Sequence, residues 1–192
     1  MIKKIILASQ SPRRVILLKQ MGIDCDQIPA DIDETPLVDE LPTDYVLRLA
    51  EQKAWAVAAT MQDKSLPILA ADTTVAINLE ILGKPIDDDD AFKMLKKLAG
   101  SSHAVHTAIA LVFNGECCNL INTTLVQMMP LTDAMILEYM ATGEHKDKAG
   151  GYGIQGLAGC WIEKITGSYT GVMGLPVHET ALLLNKLNSH KV

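Results

Sequence analysis

Short apolar runs alternate along the chain with segments whose apolar residues recur every three or four positions, a mixture that predicts strands and helices in turn. Lys4 to Ala8 reads as a strand. After a short loop, Pro12 to Met21 reads as a helix closed by Gly22, with Ser11 as its cap and Pro12 at its first position. Asp31 to Pro42 is acidic and interrupted by Pro36, so it is expected to be mostly loop. Thr43 to Met61 sets Val46, Leu49, Ala50, Ala54 and Val57 on one helical face, with Thr43 as the expected cap. Leu66 to Ala71 is apolar, runs directly into Asp72-Thr73-Thr74 and is followed by a second apolar stretch to Leu82, as in a buried strand or hairpin.

The second half continues the alternation. Asp89 to Leu98 predicts a helix closed by Gly100. Ala104 to Phe113 and Asn119 to Met129 predict two antiparallel strands around Asn114-Gly115. Thr132 to Thr142 reads as a helix, Gly150 to Gly156 as a glycine-rich segment, Cys160 to Ile165 as a strand, and Val177 to Leu187 as the last helix. No repeat, low-complexity tract or linker interrupts this order, which indicates an α/β or α+β architecture.

With 192 residues, 48% of them hydrophobic and 21% charged, the chain suits a single domain over residues 1–192 or a two-lobed unit around a shared cleft. No apolar run approaches the roughly 18 residues of a membrane span, and the N-terminal apolar stretch is too short for a secretory signal, so a cytoplasmic protein without a membrane partner is expected. A formal charge of −6 with no basic tail argues against nucleic acid as a partner. A small anion remains compatible, because a few local cations can hold it against the global field. Cys25, Cys117, Cys118 and Cys160 have no CxxC spacing, so they suit neither a zinc site nor a disulfide framework and are expected to be buried or partly buried free thiols.

Candidate chemistry concentrates in a few places. Ser9-Gln10-Ser11-Pro12-Arg13-Arg14 lies between the first strand and its helix, where free N–H groups and the helix dipole favour an anion. Two arginines in that first turn oppose the dipole, which a bound anion would resolve; solvated surface arginines are the alternative. Asp72 follows an apolar strand, where it could serve as a base, hold a metal or simply shape a turn. Lys53 lies at the edge of its helix's apolar stripe, able to point into a cleft or to cover apolar surface with a wet head. Lys84 and Asp87 share a turn. In Asp87 to Asp90, at least Asp89 and Asp90 suit a helix N-terminus better than a metal. His103 and His106 fall on opposite faces of their strand and read as structural. Lys148 to Gly156 offers glycines for close backbone approach and Gln155 as both donor and acceptor, without the GK[ST] of a P-loop; a plain turn-rich connection is equally consistent.

Taken together, Ser9-x-Ser11-Pro12-Arg13-Arg14, Glu51-x-Lys53-Ala54, Ala71-Asp72-Thr73, Gly83-Lys84-Pro85-x-Asp87, His103-x-Val105-x-Thr107, Lys148-Ala149-Gly150-x-Tyr152-x-Ile154-Gln155-Gly156 and Gly174-Leu175-Pro176 resemble the Maf family of nucleotide pyrophosphatases over nearly the whole chain. The resemblance implies an elongated α/β fold similar to inosine triphosphate pyrophosphatases, with a twisted mixed sheet and two lobes around a nucleotide cleft. It implies hydrolysis of a nucleoside triphosphate to monophosphate and pyrophosphate, with Asp72 as the base. Ser9, Arg13, Arg14, Lys53, Thr73, Lys84, Lys148 and Gln155 are the substrate-binding residues expected.

Within the family the chain resembles the dTTP/UTP branch, on Arg13, Thr73 and Gln155; a sister branch acting on 7-methyl-GTP carries Glu in place of Gln155. A carboxylate is a weak base at neutral pH, so Mg²⁺ or Mn²⁺ held by Asp72, Glu34 and the substrate phosphates is the expected cofactor. The resemblance leaves open a homodimer, and a nucleotide-binding role in septum formation stands as the alternative to catalysis.

Overall fold

The computed structural model describes residues 2–189. A strand β1 (Lys4–Leu7) leads to helix α1 (Pro12–Gln20), a short strand β2 (Asp24–Gln27) and, after a loop, helix α2 (Pro42–Thr60). Strands β3 (Ile68–Ile77) and β4 (Glu80–Leu82) form a hairpin and precede α3 (Asp88–Leu98). The long strands β5 (Ser102–Phe113) and β6 (Glu116–Met128) are followed by α4 (Asp133–Ala141), two 3₁₀ turns at Ala149–Gly151 and Leu157–Trp161, and β7 (Ile162–Thr166). A single-turn helix α5 (Tyr169–Val172) and helix α6 (Val177–Ser189) close the chain.

The strands make one mixed α/β sheet in the order β2-β1-β3-β5-β6-β7, with β4 also on β3. The β2-β1-β3 pairs are parallel and the rest antiparallel. β2 and α5 had no counterpart in the periodicity. Asp24-Cys25-Asp26-Gln27 is polar at an edge, held by parallel pairing to β1 rather than by an apolar face.

Several local expectations are corrected. Ser11 flanks α1, but its hydroxyl caps nothing; its own N–H donates to Ser9 Oγ at 3.2 Å. α2 begins at Pro42 with Leu41 in the cap position, so Thr43 lies inside the first turn, where proline's fixed φ suits the helix start. Asp87 does cap α3, accepting the Asp90 N–H at 2.8 Å, while Asp90 accepts the Ile86 N–H at 3.1 Å. Cys160 sits in the 3₁₀ turn before β7. Cys25 and Cys117 are half-buried thiols, but Cys118 and Cys160 are exposed.

The core is divided along β3. Ile68 and Ala70 pack with Val46, Leu49 and Ala54 of α2 on one face. Leu69 and Ala71 pack with Leu17 and Leu18 of α1 and with Leu183 and Leu184 of α6 on the other. Beyond Asp72-Thr73-Thr74, Val75 and Ile77 enter a third cluster with Leu95, Leu98, Met128, Ile136, Tyr139 and Trp161. The polar triplet is therefore the seam between two lobes. Its edge is also open: β1 pairs β3 only at Ile68 and Leu69, and β4 joins at Val75, so neither neighbour covers Ala70 to Thr74. No described helix is long and apolar enough to cross a membrane.

Candidate active site

The interruption of the sheet opens into a cavity of about 750 Å³, lined from the Ala8-Ser9 loop, α1, the Glu34 loop, α2, β3, the Lys84 turn, β5, α5 and the segment from Lys146 to Gln155. All of the sequence-predicted site residues line it. Cationic Arg13, Arg14, Lys53, Lys84, Lys146 and Lys148 surround Glu34, Asp72 and Asp147, so a chain with a formal charge of −6 carries a locally cationic cleft. Such a cleft focuses field on a polyanion.

Asp72 is not at a strand end, as the pattern suggested, but in the middle of β3, paired with Ala108. It is only 7% exposed. Alternation along the strand sends it toward α2, where Lys53 Nζ meets its Oδ1 at 2.6 Å. The same ammonium meets Glu34 Oε1 at 2.6 Å, and Lys84 Nζ stands 3.9 Å from Glu34 Oε2. Burial works against ionisation of Glu34, yet the hydrogen bond and charge of Lys53, with Lys84 and Arg14, outweigh it and hold its carboxyl below the usual range. Tyr45, not anticipated, donates its hydroxyl to the Glu34 carbonyl at 2.9 Å and thereby pins the loop. Burial, then the charges of Asp72 and Glu34, push that phenol up to about 12.

Thr73 points to the opposite face. Arg14 makes three contacts there: Nε donates to the Gly174 carbonyl at 2.8 Å, Nη1 to Ser9 Oγ at 2.7 Å and Nη2 to Thr73 Oγ1 at 3.3 Å. Ser9 Oγ thus accepts from both Arg14 and the Ser11 N–H, which leaves its own proton for the cavity. Arg13 differs from its neighbour. Its Nε is buried with no partner among the described residues, and burial lowers its affinity for a proton without discharging a guanidinium. A buried donor without an acceptor is what an absent anion would leave.

The far wall is tied to the Lys84 turn. The Gly150 N–H donates to the Gly83 carbonyl at 3.0 Å, and His145 Nε2 lies 2.9 Å from Asp88 Oδ1. Gly150 has φ +67°, and a Cβ there would stand 3.1 Å from the Val75 side chain, so any other residue would strain the backbone and crowd Val75. Lys148 Nζ folds back to the Glu144 carbonyl at 2.6 Å and passes so close to Gly153 that a Cβ there would stand 2.8 Å from its Cε. Burial, then the charge of Arg13, lowers the Lys148 pKa. Gln155 is exposed at the rim.

His103 and His106 are structural, as their register implies. His103 Nε2 lies 2.6 Å from the Tyr152 hydroxyl and His106 Nδ1 2.9 Å from Thr123 Oγ1. Among the described residues no cluster of three His, Cys, Asp or Glu side chains could hold a metal alone.

Fold and site together define a class: a mixed α/β protein with a polyanion cleft and an acid–lysine pair at its base. Residues 4–187 match the family described as Maf-like protein, and the chain belongs to the Maf family. A dTTP/UTP pyrophosphatase of Methylobacillus flagellatus is 51% identical over 181 residues, covering 94% of this chain and 91% of that protein. A nucleoside triphosphate pyrophosphatase of Haemophilus ducreyi is 46% identical over 189 residues, covering 97% and 96%. Among solved structures, the Staphylococcus aureus Ham1 protein is similar with a TM-score of 0.47 at 18% identity, covering 66% of this chain and 72% of that one.

Proposed function

We propose that this chain, acting as one domain on free cytosolic nucleotides, hydrolyses nucleoside triphosphates, dTTP and UTP foremost, to the monophosphate and pyrophosphate. The observation that carries the reading is the Lys53 ammonium set 2.6 Å from both Asp72 and Glu34 at the base of a cleft ringed by arginine and lysine. Relatives named for dTTP and UTP, at 51% and 48% identity over 94% and 95% of this chain, support the choice of nucleotide.

Water attacks the α-phosphorus, the bond to the bridging oxygen breaks, and pyrophosphate leaves. Asp72 takes the proton of the attacking water. Lys53 holds that carboxylate in place and carries positive charge toward the phosphates. Arg13 and the Ser9 hydroxyl donate to phosphate oxygens, while Lys84, exposed across the cleft, neutralises the leaving group. Arg14 organises Ser9, Thr73 and Gly174.

The acidic pair fits a divalent metal completed by the substrate. Among the described residues no hydrogen bond reaches Asp72 Oδ2, and Glu34 Oε2 has only the distant Lys84, so each of these cavity-lining carboxylates retains an oxygen for a ligand. Two carboxylates plus phosphates and waters are the usual surroundings of Mg²⁺, and Mn²⁺ accepts the same donors. Such an ion would neutralise phosphate charge and acidify water. A panel of nucleotides scored by pyrophosphate release tests the proposal. Release from dTTP and UTP that vanishes in Asp72→Asn is expected, and a wild-type protein inert toward every triphosphate would end it.

A further inference from the structure

Of the two acids at the base of the cleft, only Asp72 is fixed by the sheet. Glu34 stands in residues 28–41, which run from β2 to α2 without helix or strand. Holding such a segment in one conformation costs about 1–2 kcal/mol per residue in backbone entropy, so an ordered loop needs bonds that offset it.

Those bonds come from α2. Tyr45 donates to the Glu34 carbonyl at 2.9 Å, and one turn further on Arg48 Nη2 donates to the next carbonyl, that of Thr35, at 3.2 Å. The same guanidinium grips Glu40 with two prongs, Nε to Oε1 at 2.6 Å and Nη2 to Oε2 at 2.7 Å. Glu40 Oε2 in turn accepts the Leu37 N–H at 2.9 Å. Arg48 Nη1 donates to Gln52 Oε1 at 3.2 Å, and its Cζ stands 5.6 Å from the centre of the Tyr45 ring. All three nitrogens of Arg48 are therefore engaged. The Glu40 side chain is only 7% exposed and that of Arg48 20%, so their forked bond keeps a strength that an open surface pair would lose to solvent.

Neither Arg48 nor Glu40 lines the cavity, whereas Tyr45 and Glu34 do. The clasp lies behind the site. Along α2, Tyr45 and Arg48 take the main chain of the loop, and Lys53 takes the Glu34 carboxylate. Without the clasp that carboxylate would depend on Lys53, which it shares with Asp72, and on the distant Lys84.

We infer that Arg48, with Glu40 as its counter-ion, is a positioning residue that fixes the Glu34 loop and so holds the Glu34 carboxylate at the Lys53–Asp72 pair, ready for a divalent cation carried on the substrate phosphates. The inference rests on the reading of the cleft as a nucleotide pyrophosphatase site and extends its acidic pair to a support outside the cavity. Groups that orient a metal-holding carboxylate act on metal affinity without touching the ion. An ion pair that served the fold alone would change stability and leave that affinity as it was.

Mn²⁺ titrated into the full chain in the presence of UMP, followed by the electron paramagnetic resonance of the free ion, reads this without turnover. Arg48→Met is expected to weaken Mn²⁺ binding by about tenfold, and Glu34→Gln by at least about as much. In the Glu34→Gln background the same Arg48 change should alter affinity by less than about twofold, because the group it positions is gone. Should Arg48→Met fail to fold, Glu40→Gln carries the same comparison. Wild-type Mn²⁺ affinity in the Arg48 variant, or an equal loss with and without the Glu34 carboxylate, overturns the inference, as does a wild-type chain that binds no Mn²⁺ with UMP. Pyrophosphate release from UTP by wild type, scored separately, decides the catalytic reading.

Discussion

Lys53 on α2 and Asp72 on β3 meet at 2.6 Å across 19 residues of sequence, with their side chains only 12% and 10% exposed. Removing one member of so enclosed a pair strands the other charge, here beside a second carboxylate at Glu34. Lys53→Met is therefore expected to cost about 3 kcal/mol in urea unfolding, and the neutral pair Lys53→Met/Asp72→Asn to recover part of it. A Lys53→Met protein as stable as wild type would show that the pair is not coupled.

Asp72→Asn keeps the shape of the side chain and removes its ability to take a proton. Turnover should fall by about 10²–10⁴-fold while far-UV circular dichroism stays unchanged. Wild-type rates in this variant would dismiss Asp72 as the base.

The adjacent arginines should separate cleanly. Arg14 satisfies Ser9, Thr73 and Gly174, so Arg14→Met is expected to lower stability by about 2 kcal/mol as well as activity. Arg13 leaves a buried Nε unpartnered, so Arg13→Met should leave the melting temperature level or higher, yet raise KM for the triphosphate by about tenfold. Melting curves and KM values showing the reverse order would exchange the two roles.

Burial lowers the pKa of His103 from 6.5 to about 4. The unfolded chain then binds a proton that the native state refuses, so His103's contribution is intact above pH 6.5, declines as pH falls toward 4, and levels off below it. The loss over that window is about 3 kcal/mol. His103→Gln, still able to bond the Tyr152 hydroxyl, should flatten the dependence of unfolding free energy on pH between those limits; an unchanged slope would assign it to other groups.

Gln155 stands exposed at the cavity rim. Gln155→Glu adds a negative charge to that rim and removes an amide donor, so hydrolysis of dTTP and UTP should weaken more than that of other triphosphates. An unaltered substrate profile would remove Gln155 from recognition.

Local pattern alone carried most of the secondary structure. The apolar face of α2, the Asn114-Gly115 turn between β5 and β6 and the acidic start of α3 each depend on interactions within a few residues, and each forms where the periodicity placed it. Motif resemblance named the cavity-lining residues. It gave Asp72 its role as base, but not how the neighbouring cations and hydroxyls divide the rest of the work.

That division depends on tertiary contact. Asp72 and Thr73 are neighbours in sequence, but strand alternation turns one toward Lys53 and Glu34 and the other toward Arg14 and Thr107. Arg13 and Arg14 are likewise adjacent, and only the approach of Gly174, 160 residues away, decides which is held and which is left for a ligand. Composition and periodicity determine which segments are helix or strand because those choices are made over short range. The direction of a hydroxyl proton or the partner of a guanidinium is settled by whichever distant groups the closed sheet brings within three ångströms or so, and no local signal encodes it.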